Sequence, residues 1–532
     1  MTIKRRNFIA GSAALAGMAL SPGLLTKAAA QGTKKVLKFV PQADLAVIDP
    51  LGTTAYVTRN HAMMIFDTLY GVDSKFQPKP QMVEKHSIEN DGKLWKLTLR
   101  QGLKFHDGQP VRGIDVVASL KRWMAKDTFS QALVAVLDDL SAPDDLTVQF
   151  TLKKPFPLLP DLLGKIGSYS TAIMPERLAK TDPATALTEL IGSGPYRYVS
   201  AERVPGSLNV YERFAEYVPR NEPADYLSGG KVAYFDRVEW HTIPDPATAA
   251  SALQAGEVDW WEQPTPDLLP LFQGGDVKVE IKDKSGNLGL MRLNAKQKPF
   301  DNPKIRQIVL SAINQTDFML AVAGEDKSMW RVPVGYFHPD SAMASKEGLE
   351  SFTKKADYDK IKAELKAAGY NGERVVLLST ADYPTISALS EVGADLFRKI
   401  GFNVDLQVQD WATVSARMKN KGSLESGGWS AISNFTAALS TYNPAAHTWL
   451  RSNGDKAFDG WPDIPEIEEL RMQWFDAADD KAKAEIGKKI QEVALAKVPY
   501  VPLGLYYLPT AYRSNLSGML DGISLFWNVK RA

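Results

Sequence analysis

Six histidines are spread singly along this 532-residue chain, at positions 61, 86, 106, 241, 338 and 447. One of them stands beside an acid, and a His106-Asp107 pair has the composition of a general acid–base couple. Its surroundings argue for a structural role. In Lys104-Phe105-His106-Asp107-Gly108-Gln109-Pro110, Asp-Gly followed by Pro is a turn signal. Asp115 opens the next helical stretch, Ile114 to Lys126, where an acid suits the positive end of the helix dipole. Asp49-Pro50 reads as a loop or cap, and Glu468-Glu469 as the solvated face of a charged helix. No His-x-x-x-His or His-Glu-x-x-His spacing, Gly-x-Ser-x-Gly elbow, P-loop or dinucleotide-binding glycine pattern is present. Gly192-Ser193-Gly194-Pro195 is glycine-rich but runs into Pro-Tyr, which makes it a tight turn. The expectation is therefore no catalytic residue, no metal and no cofactor.

The elements that would position a site change character along the chain. Val36–Val40, Leu94–Arg100 and Leu146–Leu152 read as strands, the last two alternating apolar with polar as half-buried antiparallel strands do. Further on, Val375–Leu378 is a short buried-type strand. Ser387 to Lys399 follows with Leu389, Val392, Leu396 and Ile400 on one helical stripe. Gly401 stands where a helix-ending glycine belongs, and Val404–Val408 is the next strand. This is a βαβ unit, whose strands must be parallel. Asp357–Ala368 is another helix, ending at Gly369. A chain that passes from hairpins to βαβ units is built in two lobes, with the changeover near Lys284 to Pro303. The proline-rich stretches 243–246 and 263–266 read as loops.

Composition and the first thirty residues bound the setting. Lys4-Arg5-Arg6, an uncharged stretch from Asn7 to Thr26 and Lys27-Ala28-Ala29-Ala30 have the order of an export signal. The paired arginines favour the twin-arginine route, with the mature chain starting at Gln31. The expected location is the periplasm. Removing Lys4, Arg5, Arg6 and Lys27 turns the net charge of +1 into −3, so no basic field argues for nucleic acid. Cysteine is absent, which excludes disulfides, thiol chemistry and a lipid anchor on an N-terminal cysteine. A soluble monomer is expected. Twelve Trp and 18 Tyr supply candidates for a wet, aromatic-lined pocket.

Several ordered pieces resemble the extracytoplasmic solute-binding proteins of peptide-type ABC importers, solute-binding family 5. They are Ile48-Asp49-Pro50, Ile65-Phe66-Asp67-Thr68-Leu69 and Leu99 to Gly108 followed by Pro110, Asp115-Val116, Ser119 and Arg122. Gly192–Tyr196, Leu253–Asp259 and Pro299–Gln307 with Ala312-Ile313-Asn314 continue the series. The resemblance implies an α/β protein of mixed α+β lobes: a two-lobed periplasmic-binding-protein fold with an extra subdomain in lobe one. Lobe one would comprise 31–73, 191–287 and 500–532, its subdomain 74–190, and lobe two 288–499. It implies a peptide or similarly sized solute enclosed between the lobes and delivered to an inner-membrane permease with its ATPase subunits.

Two departures stand out. Arg112 replaces the family's usual threonine before the Asp115 helix, which removes a cap oxygen. Dipeptide binders of the family carry Gly-Trp-x-x-Asp, whose acid holds the ligand's amino terminus. Here Gly428-Trp429 is followed by Ile432 in that place, and no acid occurs from Ser426 through Ser452. A desolvated ammonium needs a charged or multiply hydrogen-bonded partner, so capture of a free amino terminus by this segment is not expected. That leaves a peptide held mainly through its backbone, or a different solute such as a glycoside, opine or metal chelate. The expected ligand-wall residues are Trp429, Ser433, Asn434 and Phe435, with Gln42 and Trp411 added. Two alternatives stay open: an exported hydrolase using His106 and Asp107, and a periplasmic ligand sensor using the same cleft.

Overall fold

The structure is a computed structural model and describes residues 35–532 apart from Ser168; the expected signal peptide lies outside the described residues. Three larger sheets organise the chain. The first has seven strands in the order Val277–Glu280, Thr510–Arg513, Trp260–Trp261, Val36–Val40, Arg237–His241, Leu208–Arg213, Tyr196–Tyr198. Its centre is the opening strand, parallel to both of its neighbours. Phe39 packs from that strand against Trp240, Trp260 and Phe526, with ring centroids 4.9–5.3 Å apart.

The second sheet has six strands, ordered Trp330–Arg331, Val501–Tyr506, Asn287–Leu293, Ala431–Ala437, Arg374–Thr380, Asn403–Gln409. Its last two are the parallel pair of the βαβ unit, joined by the helix Pro384–Lys399. Ile386, Leu389, Leu396 and Phe397 bury that helix against the sheet. Gly401 follows it at φ +98°, a backbone conformation that a Cβ disfavours. The third sheet, Val83–Glu89, Leu94–Leu99, Thr147–Leu152, Leu137–Ser141, is wholly antiparallel. Trp95, Leu97 and Leu99 alternate inward along it, as the sequence pattern requires.

Three readings need correction. Val501–Tyr506 pairs with Asn287–Leu293 and Trp330–Arg331, so it belongs to the second sheet and the expected 500–532 return segment begins too early. A short buried apolar run carries no mark of which sheet it will join. Residues 243–245 and 263–265 are loops as expected, but the last proline of each stretch, Pro246 and Pro266, opens a helical segment: Asp245 accepts from Thr248 N at 2.7 Å, and Pro246 fills the first helical position. Glu468 is not simply solvated; it accepts from Ser452 N at 2.7 Å and pairs with Arg471 at 2.8 Å.

Elsewhere the local chemistry explains itself. Asp115 accepts from the backbone of Arg112 at 3.0 Å and of Glu176 at 2.8 Å, so an acid inside the helix steadies a start that lacks a threonine. A Cβ on Gly192 would land on the carbonyl of Ile65, which is why this turn needs glycine. The chain passes from the first sheet to the second between Glu280 and Asn287, and back between Tyr506 and Thr510. The third sheet's surroundings also touch the second sheet's surroundings: Phe156 stacks on Phe475 at 6.3 Å, and Arg451 Nη1 donates to Thr128 O at 3.1 Å.

Candidate functional site

A cleft opens where the two chain crossings lie, lined by Gln42, Tyr56, Arg59 and Glu262 from the first sheet's side and by Asn287 and Ala437 from the second's. Direct contacts span it, among them Tyr56 Oη at 3.4 Å from Thr436 Oγ1. Tyr383 Oη donates to Gln42 Oε1, and Ala437 N donates to Tyr56 Oη. The Phe435 ring lies between Tyr56 and Tyr383, with centroids 5.9 and 5.6 Å away.

Of the charged groups, Arg59 comes from the helix Tyr56–Ile65, Glu262 from the segment just after the strand Trp260–Trp261, and Lys282 and Asp283 from the crossing after Glu280. Spacing of three residues puts Tyr56 and Arg59 on one helix face, and the guanidinium carbon sits 4.3 Å from the Tyr56 ring centroid. Arg59 is 7 % exposed. Its Nε and Nη2 donate to Asn60 Oδ1 at 3.2 and 3.0 Å, while Nη1 is buried with no hydrogen-bond partner. Glu262, also 7 % exposed, accepts from Gln42 N at 2.8 Å, Asn60 Nδ2 at 2.7 Å and Ser524 Oγ at 3.0 Å. Burial pushes its carboxyl above the ordinary range, against the pull of those donors and of nearby Arg59. Asn60 thus bridges a buried base and a buried acid that make no direct ion pair among the described residues.

Of the residues expected to form the wall, the structure brings three to this region. Gln42 lines the cleft, Phe435 stands in the aromatic cluster, and Trp411 packs on Tyr383 at 5.9 Å. The others point elsewhere. Trp429 is fully buried beside Trp461 and donates to Met418 O; Ser433 Oγ donates to Leu389 O; Asn434 Oδ1 accepts from Phe435 N. Ile432 is fully buried. Arg59, Asn60, Glu262 and Tyr383 were missed. A lone arginine on an apolar helix was the available signal for Arg59; nothing local marks Glu262.

His106 and Asp107 are outside the cleft lining and occupied as a turn. His106 Nε2–H donates to Gly194 O at 3.0 Å, Nδ1 accepts from Gly192 N at 3.3 Å, and burial lowers its pKa to about 4. Asp107 Oδ1 accepts from Gln109 N at 3.1 Å. With both ring nitrogens engaged by backbone, this imidazole has no free position for proton transfer. Among the described residues no cluster of His, Asp and Glu could hold a metal ion.

A model of the bacterial extracellular solute-binding proteins, family 5, matches residues 77–449. The chain belongs to that family. A probable peptide ABC transporter periplasmic-binding protein of Sinorhizobium fredii is 36 % identical over the full length of both chains. A glutathione-binding protein of Escherichia coli is 26 % identical over 90 % of each. Among solved structures, a periplasmic binding protein of A. tumefaciens in complex with agropinic acid aligns with TM-score 0.78 and 21 % identity, covering 93 % of this chain and 99 % of its own. A Helicobacter pylori binding protein in complex with the peptide STSA gives TM-score 0.78 and 22 % identity, covering 94 % and 98 %. The family-5 protein described here therefore has the two-lobed binding-protein fold, and the cleft is lined from both its first and its second sheet's side.

Proposed function

We propose that the protein is the periplasmic receptor of an ABC importer, enclosing a peptide or similarly sized amphipathic solute in this cleft and passing it unaltered to a membrane permease and its ATPase subunits. In this reading 35–73, 191–286 and 507–532 form lobe one, 74–190 its subdomain and 287–506 lobe two. The observation that carries it is the cleft itself. Buried charge and aromatic surface converge between two lobes that the chain joins at two crossings, and among the described residues no activated nucleophile or proton shuttle stands beside them. Such a joint can hinge, and closure then removes the solute from water. The kinship with a probable peptide transporter component supports the ligand class, as does the likeness to a glutathione-binding protein.

The His106–Asp107 hydrolase gains no support from a pair committed to a turn outside the cleft. A ligand sensor would use the same site, and titration with permease would separate it from an importer component. Thermal unfolding in the presence of di- to pentaalanine and glutathione tests the main reading. A solute bound only by the native state at about 100 times its Kd should add about 2.7 kcal/mol. If no peptide of the series shifts the transition, the ligand class is wrong.

A further inference from the structure

We propose that the solute held in this cleft presents a carboxylate to Arg59. The inference rests on the solute-receptor reading above and specifies the chemistry of its ligand. Arg59, Glu262, Lys282 and Asp283 line the cleft. Lys282 pairs with Glu280 at 2.7 Å, and the two buried ones, Arg59 and Glu262, differ in what remains open to a ligand. Glu262 is engaged: a backbone N–H, an amide and a hydroxyl already donate to its two oxygens. Arg59 is engaged on one edge alone, by the single oxygen of Asn60, and its buried Nη1 has no partner.

A desolvated guanidinium nitrogen without an acceptor is costly, and the acceptor that compensates it best is an anionic oxygen. No carboxylate of the described residues lies within ion-pair distance of Arg59. The Tyr56 ring covers one face of the guanidinium and fixes its plane. Asn60, held in turn by Glu262, fixes the other edge. What is left is an oriented donor in a sheltered cleft. On the acidic side of the lining, Glu262 already accepts from three donors and Asp283 from the N and Oγ of Ser285, while Ile432 is buried away. The site is thus built to grip the acidic end of its solute.

Calorimetric titration of the mature protein with tri- and pentaalanine, each with a free or an amidated C-terminus, and with glutathione tests this. Free-carboxylate forms should bind, and amidation should weaken binding about 10- to 100-fold. Arg59→Gln should bind both forms with the same weak affinity, while Arg59→Lys, which keeps the charge without the planar fork, should retain part of the preference. The wild-type comparison stands even where a variant folds poorly. Equal binding of free and amidated peptides, or an undiminished preference in Arg59→Gln, overturns the carboxylate contact and leaves the receptor reading intact. Binding of none of these solutes by the wild-type protein overturns both.

Discussion

Replacing Asp49 by Ala should lower the unfolding free energy by about 3–5 kcal/mol, the usual cost of leaving one member of a buried ion pair alone. Asp49 and Arg122 have almost fully buried side chains, joined by two bonds of 3.2 and 2.8 Å. The same carboxylate accepts from Leu51 N and Leu187 N, each at 2.9 Å. It therefore ties the segment after the opening strand to the helix Gly113–Met124, which flanks the antiparallel sheet. Alanine would strand a guanidinium and two backbone N–H groups in the interior. Arg122 keeps its bonds to Thr181 O and Thr185 O, so the charge stays buried instead of swinging out. Denaturant melts of Asp49→Ala, Arg122→Met and the double variant would measure the coupling. The double variant should be markedly less destabilised than the sum of the two singles. A loss under about 1 kcal/mol for Asp49→Ala would contradict this description of the joint.

Mild acid should weaken the fold before the carboxylates titrate. Burial lowers the pKa of His61 and His447 to about 3 and of His106 to about 4, all below the ordinary histidine value. His447 shows the cause. Its Nε2–H donates to Tyr336 O at 2.8 Å, and Nδ1 is buried with no acceptor for an added proton. The sign follows from which state binds protons. Between about pH 6.5 and 4 the unfolded chain takes up protons on these rings while the native state does not, so stability falls as the pH falls. Each ring contributes about 1.4 kcal/mol per pH unit once its unfolded form is fully protonated. The urea midpoint should drop steadily from pH 7 to pH 5, where few carboxylates have begun to protonate. A flat profile across that interval would mean these rings are charged in the native state.

Much of the frame was legible because it depends on local pattern. Alternation along Leu94–Leu99 and Thr147–Leu152 marks one wet and one buried face. The helical stripe ending before Gly401 needs only periodicity and one positive-φ glycine. The turn at His106 was legible from Asp-Gly-Pro chemistry. The site was harder because its contacts join distant positions. Asn60 meets Glu262 across 202 residues of sequence, and Tyr383 meets Gln42 across 341. Aromatic type cannot decide between core and wall: Trp429 faces Trp461 in the interior, whereas Phe435, six residues on, reaches the cleft cluster. Only the fold separates them. The absence of an acid from Ser426 through Ser452 was plain in the sequence, and the structure adds the base that the same cleft does offer.

Capture without chemistry is the expected behaviour. Mature protein incubated with an equimolar mixture of di- to pentaalanine and glutathione, then examined by native mass spectrometry, tests it most directly. One solute per chain is expected, retained through buffer exchange and released with unchanged mass when the protein is unfolded. A protein that retains none of these solutes, or returns them cleaved or modified, would contradict it.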